Sequence, residues 1–217
     1  MKKLVIFDLD GTLLDTIADL ADSTNTALEK NGFPTHPVEA YRFFVGNGIN
    51  KLFERALPEG EKSEANILRI RKDFLAYYSL HHSDKSTPYP GIPELLKELN
   101  RQNVQLAVAS NKYDEGAKEL IPYYFPTIPF VAVFGQRQGI APKPDPTIIH
   151  DILAIAKIPK EDVLYVGDSG VDMQTAINAG LTSCGVTWGF RPQTELEQFN
   201  PDYIINNPKE ILTILKG

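Results

Sequence analysis

The sequence predicts an α/β protein built on a doubly wound, Rossmann-like parallel sheet, with a helical segment inserted after the first strand. Three observations predict it. Short continuous apolar runs recur along the chain and each stops at glycine or polar residues; helical patterns separate the later runs; and the long interval between the first run and the second reads as helix alone. A strand buried on both faces of a parallel sheet is apolar throughout rather than alternating, which is the pattern of these runs.

The first strand is read at Leu4–Phe7, ending in Asp8 and Gly11. The others are Val104–Ala109 before Ser110-Asn111, Phe130–Phe134 before Gly135, Val163–Val166 before Gly167-Asp168, and Thr182–Val186 before Trp188-Gly189. Helical patterns cover Ile92–Arg101, Tyr113–Ile121, Pro146–Ala156 and Val171–Ala179, the last with Gly180 as its stop. Strands alternating with helices imply right-handed crossovers and a site beyond the carboxyl ends of the strands, where Asp8, Ser110 and Asp168 converge.

Residues 15–82 carry no strand pattern. Leu20, Thr24, Ala27 and Leu28 recur at helical spacing, as do Ile67, Ile70, Phe74 and Tyr77. The expected division is a core of 1–14 and 83–217 with an inserted helical cap of 15–82. The polar, proline-bearing stretch Ser83–Gly91 forms the return and a hinge.

The 217 residues are 42% hydrophobic and 23% charged, enough apolar material for a sizeable core. A net charge of −6 and a pI near 5.3 argue against a broad nucleic-acid surface, which needs clustered cations. A local anion pocket stays compatible with that charge, because near contacts dominate screened distant ones. The apolar run after Lys2-Lys3 ends at Asp8 after four residues, too short for a signal peptide, and no stretch has membrane-spanning length. With a single Cys184, in a strand-like run that suits a buried thiol, the expected setting is the cytoplasm and the expected state a monomer or small homo-oligomer.

Four segments carry chemistry. In Asp8-Leu9-Asp10-Gly11-Thr12, carboxylates two apart on extended chain point the same way, so one can attack a reacting group while the other moves a proton. Ser110-Asn111 follows a strand and offers a hydroxyl and an amide to phosphate oxygens, though such pairs also cap helices. Lys143 sits between Pro142 and Pro144, a cation on a restricted backbone able to hold a phosphoryl oxygen and offset the charge of an attacking carboxylate. Gly167-Asp168-Ser169-Gly170-Val171-Asp172 places carboxylates four apart at a strand-to-helix junction, oxygen ligands suited to Mg2+.

Taken together, Asp8-Leu9-Asp10-Gly11-Thr12, Ser110-Asn111, Lys143 and Gly167–Asp172 resemble the four motifs of the haloacid dehalogenase-like superfamily in order and spacing, and the inserted helices resemble its cap. The resemblance implies a magnesium-dependent phosphatase acting on a small phosphoester through a phospho-aspartyl intermediate. It makes Asp8 the nucleophile and Asp10 the general acid and base. It places the metal on the Asp8 carboxylate, the Asp10 backbone carbonyl and Asp168, with Asp172 in support. Ser110, Asn111 and Lys143 then hold the phosphoryl group, and Thr12 joins them or stabilises the first loop. Dehalogenation is disfavoured, because dehalogenases lack the carboxylate that Asp10 supplies.

In the helical insert, Phe44-Val45-Gly46-Asn47-Gly48 runs into a second helical pattern and is similar to the cap loop of the phosphoglycolate phosphatases within that superfamily. Backbone amides around Gly46, Asn47 and Gly48 are therefore expected to meet an anionic substrate. Lys51 and Arg55 are alternatives as carboxylate ligands, with solvent the commoner place for such residues. His81-His82 does not share a helix face and reads as surface or hinge; Phe74, Tyr77 and Tyr78 read as cap core. Other outcomes of the same motifs are a phosphosugar mutase, another small-metabolite phosphatase or pyrophosphatase, and a phospho-accepting signalling domain. Asp10 and the cap favour hydrolysis over the last.

Overall fold

The structure, a computed structural model, describes residues 2–216. Strand β1 (Leu4–Phe7) is followed by the short β2 (Leu14–Asp15) and four helices: α1 (Ile17–Lys30), α2 (Val38–Phe44), α3 (Ile49–Ala56) and α4 (Glu64–His81). The chain returns through β3 (Thr87–Pro88). It then alternates α5 (Ile92–Arg101), β4 (Gln105–Tyr113), α6 (Asp114–Tyr124), β5 (Phe130–Gln136), α7 (Thr147–Ala156), β6 (Val163–Gly167), α8 (Gly170–Ala179), β7 (Thr182–Val186), α9 (Gln193–Glu197), β8 (Tyr203–Ile205) and α10 (Ile211–Ile214).

Six strands form one parallel sheet in the order β5-β4-β1-β6-β7-β8. In β1, Leu4 lies opposite Gln105 on one side and Val163 on the other, and Phe7 opposite Val108 and Val166. The chain builds outward from β1 to β5 and then returns to the other flank at β6. This puts the topological switch point, where such sheets bind ligands, at the ends of β1 and β6.

All four residues of β1 are fully buried because both faces are covered. Val5 and Phe7 pack with Leu95, Leu99, Leu120 and Ile211 on one side; Leu4 and Ile6 pack with Ile149, Ile152, Ala176 and Ala179 on the other. Burial of each large side chain contributes roughly 1.5–3 kcal/mol, so both layers hold this strand and the aspartate that follows it. Gly180 ends α8 in the left-handed conformation at φ 69°, as expected of the stop.

The sixth strand was not among the expected five. Tyr203–Ile205 is a three-residue edge strand, too short for periodicity to register, and Asp202 anchors it by accepting bonds from Ser183 N at 2.8 Å and Oγ at 2.9 Å. Strand β4 also runs beyond Ala109, so Ser110 and Asn111 sit within it, at a break in its pairing with β5.

Helices α1 to α4 form a third apolar cluster of their own, including Leu20, Tyr41, Phe53, Ile70, Phe74 and Tyr78, joined from the sheet side by Phe190. The α4 stripe runs through Ile70, Phe74 and Tyr78. Tyr77, expected in that core, instead stacks on His81, which pairs with Asp84 at 2.7 Å near the surface. The strands entering and leaving this segment pair antiparallel, Leu14 with Pro88 and Asp15 with Thr87. Buried Asp19 clamps the return, accepting from Lys85 N, Ser86 N at 2.8 Å and Ser86 Oγ at 2.6 Å. Among the described residues no helix is long and apolar enough to cross a membrane.

Candidate active site

Asp8, directly after β1, is buried beside the ends of β4 and β6. The loop that follows folds back tightly: Leu9 O accepts from Thr12, Leu13 and Leu14 N–H, and Gly11 stands at φ 88°. A Cβ on Gly11 would lie 2.3 Å from Asp168 Oδ2, so glycine is required both for conformation and for the approach of the two loops. Thr12 is fully buried with its hydroxyl unpartnered and its carbonyl bonded by Trp188 Nε1 at 3.1 Å; this places it behind the loop rather than on the cavity wall.

Lys143 reaches the same place from the loop before α7. Its ammonium donates to Asp172 Oδ1 at 2.7 Å, Ala109 O at 2.9 Å and Tyr165 OH at 3.0 Å, and lies 3.0 Å from Asp8 Oδ1. Asp8 Oδ1 faces the cation as an ion pair and, with no well-directed hydrogen bond, is an orphaned buried acceptor.

Asp172, one turn into α8, is committed to its neighbours: Oδ1 to Lys143 and Tyr165, Oδ2 to Ser169 N at 3.1 Å and Oγ at 2.6 Å. Asp168 Oδ2 accepts from Phe190 N at 2.7 Å. Burial pushes the Asp8 carboxyl up to about 7, with the Asp172 charge acting the same way and Lys143 opposing. Burial, then the charges of Asp172 and Asp8, hold Asp168 well above the usual carboxylate range. For Lys143 burial acts against the charge, but Asp172 and Asp8 outweigh it and keep the ammonium well above the ordinary lysine value.

These residues fit a divalent cation. Oxygens of Asp8, Asp168 and Asp172 come within 4.8 Å of one another, and three buried carboxylates face one ammonium, an excess of two negative charges if all ionise. The donors are all oxygen, Asp8 Oδ1 lacks a hydrogen-bond partner, and Asp172 is the member whose oxygens are already engaged. That set suits Mg2+ on Asp8 and Asp168, with Asp172 fixing Lys143 and Ser169.

Asp10 lies at the edge of the cavity, its Oδ1 accepting from Thr16 Oγ1 at 2.7 Å and from Lys112 Nζ at 3.1 Å. Ser110, buried, lines the cavity. Asn111 uses its amide differently from the expectation of a phosphate donor: Nδ2 donates to Gly46 O at 2.9 Å and Lys143 O at 3.1 Å, while Oδ1 accepts from Lys143 N at 2.8 Å. It ties the loop before α3 to the lysine loop.

Gly46 and Gly48 line the cavity from the helical side with Leu20, Val45, Ile49, Leu52 and Phe74. Gly48 stands at φ 84°, and a Cβ there would meet Gln136 Oε1 at 2.6 Å. Asn47 is turned away from the cavity, accepting from Arg55 Nη2 at 2.7 Å; Arg55 also donates to Phe44 O at 2.9 Å. Arg55 therefore holds the loop, and Lys51 pairs with Glu54 at 2.7 Å in solvent. Neither lines the cavity between core and insert, which measures about 50 Å³.

Residues that sequence reasoning passed over complete the site. Lys112, Tyr78 and Tyr165 place polar groups around Asp10 and Lys143, and Phe190 and Arg191 close the wall beside Asp168. Arg191 Nη2 reaches Val45 O at 2.9 Å in the opposite loop. Only Lys112 carried a visible signal, its place directly after Ser110-Asn111.

Asp8 thus lies buried at the switch point of a doubly wound sheet, backed by a lysine and two further carboxylates, an arrangement suited to a hydrolase that acts on an anionic substrate. The family described as haloacid dehalogenase-like hydrolase matches residues 5–186. The phosphoglycolate phosphatase of Vibrio parahaemolyticus is 32% identical over 98% of this chain and 96% of its own length, and that of Mesorhizobium japonicum 33% identical over 95% and 91%. Among solved structures, a predicted phosphoglycolate phosphatase of Haemophilus somnus superposes with a TM-score of 0.90 at 30% identity, covering 98% of this chain and 97% of that one. A haloacid dehalogenase-like hydrolase of Streptococcus pneumoniae superposes at 0.87 with 26% identity, covering 98% of each. The chain belongs to the haloacid dehalogenase-like hydrolases, and it is a phosphoric monoester hydrolase.

Proposed function

We propose that this phosphatase hydrolyses phosphoglycolate with Mg2+ and a phospho-aspartyl intermediate on Asp8. The reading rests on one arrangement above all: the orphaned, buried Asp8 Oδ1, facing Lys143 within a cluster of three carboxylates. Mg2+ held by Asp8 and Asp168, with the Asp10 carbonyl, would supply charge neutralisation for an anionic nucleophile meeting an anionic phosphate.

Asp8 attacks phosphorus, the ester P–O bond breaks, and the departing alkoxide takes a proton from Asp10. Water then gives its proton to Asp10 and attacks phosphorus, breaking the bond to Asp8 and releasing phosphate. Ser110 donates to a phosphoryl oxygen, Lys143 neutralises charge, and Asn111 keeps the lysine loop and the Gly46–Gly48 loop in register around the site. Residues 15–82 act as a cap on the 1–14 and 83–217 core, hinged at the β2–β3 pair. Their apolar residues Leu20, Ile49, Leu52 and Phe74 face Asp8 and Asp10 across a small cavity, which supports a small ester as substrate. The names and lengths of the relatives support the same substrate.

The test is a comparison of kcat/KM for phosphoglycolate, ethyl phosphate, a hexose phosphate and pyrophosphate under one magnesium concentration, repeated with chelator. Phosphoglycolate is expected to lead by about tenfold or more, and activity to vanish on chelation. A lead by another ester rejects the substrate; full activity after exhaustive chelation rejects the metal.

A further inference from the structure

Lys112 is a buried cation that the scheme above leaves without a role. Its side chain is 3% exposed, and its ammonium contacts Asp10 Oδ1 at 3.1 Å and Oδ2 at 3.5 Å and donates to Tyr78 OH at 2.8 Å. Tyr78 belongs to α4 and Lys112 to β4, so the contact spans the sheet and the helical insert. A surface ion pair would carry no functional meaning, but burying an ammonium has a desolvation cost, which a lysine on a solvent-exposed site would not meet. The chain places this cation on the wall of the cavity beside Asp10.

The position on that wall matters. Lys143 and the cluster around Asp8 mark the phosphoryl end, and Asp10 marks the ester oxygen that must be protonated. An ammonium beyond Asp10 therefore meets the leaving group. In an ester with one methylene between the ester oxygen and a carboxylate, the two oxygens are roughly 3 Å apart by ordinary bond lengths. A group 3.1 Å from Asp10 is within hydrogen-bond reach of such a carboxylate.

Other cations stand away from Asp10. Arg191 lines the same cavity on the wall beside Asp168, where its guanidinium donates to Val45 O and Arg42 O and faces Glu195. Arg55 holds the Asn47 loop and Lys51 lies in solvent. The remaining wall from the insert, with Leu20, Ile49, Leu52 and Phe74, is apolar. Of the three Lys112 contacts, that to Asp10 Oδ2 at 3.5 Å is the weakest, and it is the one a ligand carboxylate can replace.

We infer that Lys112 is the specificity-determining residue of this phosphatase, binding an anionic group, a carboxylate, on the leaving-group side of the ester. The inference deepens the phosphoglycolate reading and rests on it for the placement of the leaving group. It states that selectivity for charge comes from the core strand β4, with Tyr78 of the insert holding the ammonium in place.

The experiment is a ratio, so that any general harm to Asp10 cancels. kcat/KM is measured for phosphoglycolate, phospholactate and ethyl phosphate with wild type, Lys112→Met and Lys112→Arg, after circular dichroism has verified folding. The wild-type preference for the two carboxylate esters over ethyl phosphate is expected to fall about tenfold or more in Lys112→Met, mainly through KM, and to be largely kept in Lys112→Arg. Should the methionine variant not fold, Lys112→Gln, which keeps a donor for Tyr78, replaces it with the same expectation.

A wild-type preference that survives loss of the charge overturns the role of Lys112 and leaves the substrate standing. A proportional fall for all three esters also overturns it, making Lys112 a positioning residue for Asp10. Preference for phospholactate with phosphoglycolate no better than ethyl phosphate rejects the substrate, while collapse of that preference in Lys112→Met upholds the carboxylate site. No carboxylate preference in the wild type rejects both.

Discussion

The Lys143 ammonium lies 3.0 Å from Asp8 Oδ1 and is held there by Asp172, Tyr165 and Ala109. The proposed nucleophile thus faces a fixed positive charge. Lys143→Met leaves Asp8, Asp168 and Asp172 buried without their cation. The expected result at neutral pH, without metal, is a loss of about 3–5 kcal/mol of stability in urea unfolding together with loss of turnover. Unchanged stability would show that the cluster is not balanced by this lysine.

The pH dependence follows from Asp8. Its carboxyl is pushed up to about 7 by burial, above the ordinary 3.8, so between those values the folded chain binds more protons than the unfolded one. Stability of the metal-free protein therefore falls as pH rises from about 4 to about 7, by roughly 2–4 kcal/mol from this group. Asp8→Asn, which cannot ionise, is expected to raise the metal-free melting temperature at pH 7.5 and to change it little at pH 4. Magnesium should stabilise the wild type at pH 7.5 more than this variant. Thermal melts with and without chelator check both signs.

Gly11→Ala tests the approach of the two acidic loops. The added methyl would sit 2.3 Å from Asp168 Oδ2 at a backbone φ of 88°, so the Asp168 carboxylate or its loop must move. Activity is expected to fall at least about 100-fold, with weaker magnesium dependence, while the apolar layers keep the fold. A magnesium titration of activity, with far-ultraviolet circular dichroism as the folding control, decides it.

Asp8 and Asp10 separate with an activated ester. With p-nitrophenyl phosphate the leaving group needs no proton, so Asp10→Asn is expected to give a burst of about one nitrophenolate per chain and then turn over at least about 100-fold more slowly than wild type. Asp8→Asn should show neither burst nor turnover. A burst from Asp8→Asn would place the nucleophile elsewhere.

Cys184 serves as an internal control. It is fully buried in β7, and burial pushes its thiol up to about 12, with Glu210 adding to the effect. The native protein should not react with a thiol reagent over hours, and one thiol per chain should appear on unfolding.

The sequence by itself determined five of the six strands and the inserted helices, and it singled out Asp8, Asp10, Ser110, Lys143, Asp168 and Asp172, which the structure gathers around one cavity. Each was legible because it follows a continuous apolar run or a proline-framed turn, features set by neighbours in the chain. Tertiary structure decided what those neighbours cannot. It bonded the Asn111 side chain to Gly46 and Lys143 at the cavity wall, tied Arg55 to Asn47, turned Tyr77 out of the core onto His81, and set Lys112 between Tyr78 and Asp10. The physical reason is range. Periodicity and turn chemistry act over a few residues, whereas a buried donor takes whatever acceptor the packing brings within about 3 Å, 102 positions away in the case of Lys112 and Asp10.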